Sequence, residues 1–66
     1  MSAEPQKSII GLTRFLIVDS QPAVGDALRR FLLAEGSPAV HVATSSVLGL
    51  RVLQDRRTPV NCVICA

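Results

Sequence analysis

Apolar residues run unbroken through Phe15-Leu16-Ile17-Val18 and stop at Asp19-Ser20-Gln21-Pro22. A short, continuous apolar run bounded by polar residues suits a central strand of a parallel sheet, covered on both faces. Pro22 fits the first turn of a following helix, and Ser20 is expected to cap it. Val24, Ala27, Leu28, Phe31 and Leu32 then recur at the spacing of one helical face, with Asp26, Arg29 and Arg30 on the wet side. Gly36 and Pro38 stop that helix.

The period changes to two at residues 39–43, where Val40 and Val42 alternate with His41, predicting a short strand with His41 facing solvent. Thr44, Ser45 and Ser46 offer caps for a second helix, whose Val47, Leu50 and Leu53, joined by Leu48 and Val52, form a broad apolar face. Gly49 inside it costs about 1 kcal/mol relative to Ala. Asp55-Arg56-Arg57-Thr58-Pro59 ends the helix, and the β-branched content of residues 60–66 predicts a third strand. Residues 1–13 mix Pro5, Gly11 and small polar residues without a sustained period, so they are expected to form a flexible lead-in, with Ile9, Ile10 and Leu12 available to dock.

Strand, helix, strand, helix, strand is the order of an α/β unit, in which right-handed crossovers give a parallel sheet with helices on its faces. The uninterrupted run at residues 15–18 belongs in the centre, so the expected spatial order is 2-1-3. That order reverses direction beside the first strand, which places a crevice near Asp19, at the carboxyl end where α/β sheets bind ligands.

Composition narrows the function classes. Sixty-six residues allow one small domain, burying only about 60% of the surface its unfolded chain exposes. Seven Lys and Arg against five Asp and Glu leave a formal charge of +2, too small to point to nucleic acid or a membrane. Arg29-Arg30 and Arg56-Arg57 raise the class of DNA-associated regulators, but two separate dipeptides without interleaved aromatics read as solvated helix faces. A nucleotide-binding enzyme is disfavoured because neither G-x-G-x-x-G nor a G-K-S/T loop follows the first strand. No apolar run approaches the ~20 residues of a membrane span, and a reducing, cytoplasmic setting is the expectation. Cys62 and Cys65 have the spacing of a redox pair, but in a β-branched strand positions three apart face opposite sides, and buried structural thiols are the better reading. With one His and one Cys pair, no zinc site is expected.

The phrase at residues 15–22 resembles the first strand and acidic corner of bacterial response-regulator receiver domains. The resemblance extends over residues 14–66, through Leu28-Arg29-Arg30-Phe31-Leu32-Leu33-Ala34-Glu35-Gly36, the Val-rich second strand entering Ala43-Thr44-Ser45, and Pro59-Val60-Asn61-Cys62-Val63-Ile64-Cys65-Ala66. It implies a truncated receiver-like domain, a partial flavodoxin-like βαβαβ sheet, acting in two-component phosphorelay signalling. In that family two acids after the first strand and an acceptor Asp ending the third gather around Mg²⁺, and the acceptor takes a phosphoryl group from a histidine kinase. Carried over residue by residue, Asp19 is the first acid, Ser20 replaces the second, and Ala66 stands at the acceptor position.

One carboxylate of three then remains, and Mg²⁺ is held at most weakly. Asp19 has two readings, a residual metal ligand or a local hydrogen-bond acceptor at the turn. The resemblance implies a non-enzymatic module working by protein–protein recognition, with a histidine kinase, a phosphotransfer protein or another copy of itself as partner. The alternative is a fragment of a phosphorylatable regulator that controls transcription through a DNA-binding output domain. The outer side of the third strand is expected to be an open edge that drives homo-oligomer formation.

Overall fold

A computed structural model describes residues 9–65. The elements in chain order are α1 (Ile9–Leu12), β1 (Arg14–Val18), α2 (Pro22–Ala34), β2 (Ala39–Ala43), α3 (Ser46–Gln54) and β3 (Cys62–Cys65). The three strands form one all-parallel sheet in the order β2-β1-β3. Arg14 stands opposite Ala39 and Val18 opposite Ala43 on one side, while Phe15 stands opposite Cys62 and Val18 opposite Cys65 on the other. Each β-to-β connection carries a helix, and the apolar run of β1 takes the centre, as a strand covered on both faces must.

On the α2 side, Phe15, Ile17 and Leu32 are buried together, with Ile10, Val40, Val42, Cys62 and Ile64 packed against them. On the other side Leu16, fully buried, lies beneath α3 with Ala43. Burying a side chain of the size of Leu16 or Ile17 contributes about 1.5–3 kcal/mol. These two residues carry the centre of the sheet.

Each of α2 and α3 brings its backbone close to the sheet at a glycine. A Cβ on Gly25 would lie 2.7 Å from Val42 Cγ1, and a Cβ on Gly49 would lie 3.0 Å from Val18 Cγ2. The inward face of α2 therefore centres on Gly25 and Leu32, seven residues apart, rather than on the stripe of Val24, Ala27, Leu28, Phe31 and Leu32 that the periodicity predicts. Of that stripe only Leu32 is buried, and Phe31 is 57% exposed. The same holds in α3, where Gly49 is buried and Val47, Leu48, Leu50 and Leu53 are exposed. Close approach of helix backbone to sheet has outweighed burial of the longer side chains.

Helix ends follow their capping chemistry with one exception. Pro22 opens α2, but the residue before it is Gln21, without a side-chain cap bond, and the exposed Ser20 does not cap the helix as expected. The turn is held instead by Asp19 Oδ1, which accepts from the Gln21 N–H at 2.8 Å. Gly36 has φ +106°, a left-handed value that L side chains rarely adopt. It closes α2 as the N–H of Gly36 donates to Leu33 C=O and that of Ser37 to Leu32 C=O. Ser45 caps α3, its Oγ accepting from the Leu48 N–H at 3.2 Å.

Three further expectations change. Residues 9–12 form a helical turn rather than part of a flexible lead-in; Ile10 packs on the core, and the Thr13 N–H and hydroxyl bond to the carbonyls of Ile10 and Ile9. Residues 1–8 of that lead-in lie outside the described residues. His41 is half-buried rather than solvent-facing. The third strand begins at Cys62, because Asn61 engages Arg14 irregularly, accepting the Arg14 N–H on Oδ1 at 2.8 Å while its own N–H donates to Arg14 C=O at 3.0 Å. No helix of the described residues is long and apolar enough to cross a membrane.

Candidate functional site

Asp19 follows directly on the central strand. Its N–H donates to Ala43 C=O at 3.0 Å, continuing the β1–β2 ladder one residue past the strand, and this fixes the backbone from which the carboxylate projects. The residue is only 8% exposed. One oxygen is occupied by the Gln21 N–H, the local bond the sequence offered as one of its two readings. Among the described residues no cation lies within salt-bridge distance of Asp19, and no group of three or more His, Cys, Asp or Glu gathers anywhere. Ser20, the neighbour at the second acid's position, is exposed.

The topology brings the carboxyl ends of β1 and β3 together, since Val18 pairs with Cys65. Asp19 thus stands one step beyond the last pair of the ladder, at the reversal in strand order where α/β sheets form their binding crevice. Ala66, the residue at the acceptor position, lies outside the described residues. Chemically the corner offers one buried carboxylate that accepts a single backbone N–H, on a residue whose main chain is held to Ala43, with an exposed hydroxyl beside it.

Among the described residues, none of the ion pairs involves this corner. Asp26 bonds Arg29 at 2.8 Å and Arg30 at 2.9 Å along the outside of α2, and its carboxyl is held below the ordinary value first by the hydrogen bond from Arg29. Asp55 is held low in the same way by Arg57 at the end of α3. Both arginine dipeptides are thereby tied in part to local acids on exposed faces.

A second feature lies along β3. The helices α2 and α3 pack mainly over β1 and β2. Among the described residues no strand pairs with the outer edge of β3, and it is thinly covered above and below. Cys62 and Cys65 point to opposite faces, as their spacing requires, but neither is the buried thiol expected. Cys62 is half-buried against the α2-side core, and Cys65 is exposed. Cys65 and the 45% exposed Val63 border an apolar groove of about 230 Å³, whose other walls include Leu16, Val18, Leu50 and Leu53. The sequence pattern gave no sign of this groove, because a leucine stripe reads as buried until the helix is placed.

No protein-family model matches the chain, and no curated protein or solved structure matches it.

Proposed function

We propose that the chain is a receiver-like module of the two-component type, a partial flavodoxin-like fold that works by protein–protein recognition and carries no enzymatic activity of its own. The observation that carries this reading is the position of Asp19, a buried acid fixed at the carboxyl end of the central parallel strand, at the reversal point of a 2-1-3 sheet. The strand-acid-proline phrase and the proline-opened helix after it support the same reading.

The proposed partners are a histidine kinase, a phosphotransfer protein or another copy of the chain, in a cytoplasmic setting; neither membrane nor nucleic acid is among them. Asp19 is in this view the remaining acid of a metal corner in which Ser20 and Ala66 have taken the places of the other two. One carboxylate already engaged by a backbone N–H holds Mg²⁺ weakly at best, since Mg²⁺ is usually gripped by one or two carboxylates together with phosphate oxygens. Without the metal, the charge that develops on a transferring phosphoryl group goes unneutralised.

Incubation with Mg²⁺ and acetyl phosphate, followed by intact-mass measurement, tests the proposal. An unchanged mass is expected. A stable gain of one phosphoryl group mapping to Asp19 would overturn the reading of a module that recognises without being phosphorylated.

A further inference from the structure

The open edge of β3 has a defined hydrogen-bonding pattern, because backbone groups alternate sides along a strand. Asp19 donates to Ala43, so the odd residues of β1 turn their N–H and C=O groups toward β2. The even ones, Arg14, Leu16 and Val18, turn toward β3, as the bonds between Arg14 and Asn61 also require. With Leu16 opposite Val63 in parallel register, the groups that answer Leu16 belong to Cys62 and Ile64. Val63 and Cys65 therefore point their N–H and C=O outward, away from β1, where no strand of the described residues pairs with them. Asn61 offers no N–H to this edge, its own being turned to Arg14.

Edge strands are ordinarily guarded by charge, proline or a bulge. Residues 60–66 carry no charge and no proline. A two-fold arrangement consequently sets no like charges against each other, which is the condition a self-pairing edge has to meet. The apolar groove beside Val63 and Cys65 adds exposed surface on the same margin.

We infer that β3 pairs antiparallel with β3 of a second copy, Ile64 lying on the two-fold axis. This inference rests on the reading of the chain as a recognition module and identifies its partner. The register follows from the outward groups. Pairing Val63 with Cys65 of the second copy, and the reverse, uses every outward N–H and C=O of both strands. Centring on Val63 would instead oppose Cys65 to Asn61, whose N–H is already engaged. A two-fold axis perpendicular to the sheet keeps corresponding faces on the same side, so the two grooves become neighbours above a continuous six-stranded sheet.

In this register Ile64 stands directly opposite its copy at a non-hydrogen-bonded position, about 4.5 Å between Cα atoms, inside the range a disulfide spans. Residue 63 and its own copy are displaced by two residues, about 7 Å along the strand, and do not cross-link. The same displacement keeps the native Cys65 thiols apart.

The test needs neither metal nor phosphodonor, so it fails or succeeds independently of the phosphorylation experiment. Sedimentation across a micromolar concentration series is expected to show a monomer–dimer equilibrium. Val63→Pro removes an outward N–H while leaving the β1–β3 ladder intact; it is expected to give a monomer with unchanged far-UV circular dichroism. In a Cys62→Ala, Cys65→Ala background, Ile64→Cys is expected to form a disulfide-linked dimer under mild oxidation and Val63→Cys is not. A parent that stays monomeric throughout would overturn the inference, and so would assemblies that grow beyond two copies. Cross-linking through Val63→Cys in preference to Ile64→Cys would overturn the register.

Discussion

Replacing Gly25 by Ala sets two effects of opposite sign against each other. Alanine is the better helix former, by about 1 kcal/mol in a helix interior. Against that, the new Cβ would lie 2.7 Å from Val42 Cγ1, closer than two carbon atoms can approach. Val42 is β-branched, paired through β2 to Ile17, and packed on the core, so it can yield only by rotating its stiff χ1 or by moving the strand. Overpacking of this kind costs about 1–3 kcal/mol. The net expectation is a loss of about 0–2 kcal/mol, with a midpoint near 1. For a domain of this size that lowers the melting temperature by about 4–8 °C per kcal/mol. Thermal melts of the parent, Gly25→Ala, Val42→Ala and the double variant close a cycle. The double variant should recover stability relative to the sum of the singles, because removing Cγ1 removes the clash. A Gly25→Ala variant more stable than the parent, or strictly additive singles, would refute the close helix–sheet approach on which the placement of α2 rests.

Two other predictions come from the hydrogen-bond and charge pattern. Ser37 is buried and its hydroxyl donates to Thr13 C=O at 2.7 Å, tying the turn after α2 to the start of β1; Ser37→Ala is expected to cost about 1–3 kcal/mol in denaturant melts. An unaltered midpoint would show that the bond is not formed in solution. Asp26 is held below its ordinary value near 3.8, so its contribution is present above that pH and is lost as pH falls through the lowered value. The stability difference between the parent and Asp26→Asn, followed by melts from pH 6 to pH 2, should be small and should vanish in acid, with high salt shrinking it as well; a difference that grows on acidification would contradict the Arg29 and Arg30 assignment.

The strand content was legible because its signal is local. Phe15 to Val18 can be read as a central strand from the run alone, and residues 39–43 form the strand their alternation predicts. Gly36 and Ser45 terminate and cap their helices by chemistry that needs no tertiary information. The helix faces were not legible in the same way. Hydrophobic spacing predicts that the apolar stripes go inward, yet of the α2 stripe only Leu32 is buried and the helix backbones come close to the sheet at Gly25 and Gly49, a choice decided by how closely a helix backbone approaches the sheet. Ser37 and Asn61 were missed for a related reason: each satisfies a backbone group at the β1 start, far away in sequence, and nothing in their immediate neighbours announces it. At the acidic corner the position of Asp19 could be read from the phrase it ends. That it accepts a local hydrogen bond was one of the two readings open at that point; that Gln21 is the donor and that Ser20 does not cap the helix is decided by the turn itself.

The most direct test of the proposed receiver-like corner is to place a second acid there. Ser20→Asp places a carboxylate next to Asp19, which is expected to lower stability in the absence of metal through like-charge repulsion and to raise affinity for Mg²⁺. At Mg²⁺ ten times above its dissociation constant, binding to the folded state alone would stabilise it by about 1.4 kcal/mol, which thermal melts resolve. A larger Mg²⁺-dependent rise in melting temperature for Ser20→Asp than for the parent is predicted; an equal response in both would mean that this corner is no remnant of a metal-binding receiver site.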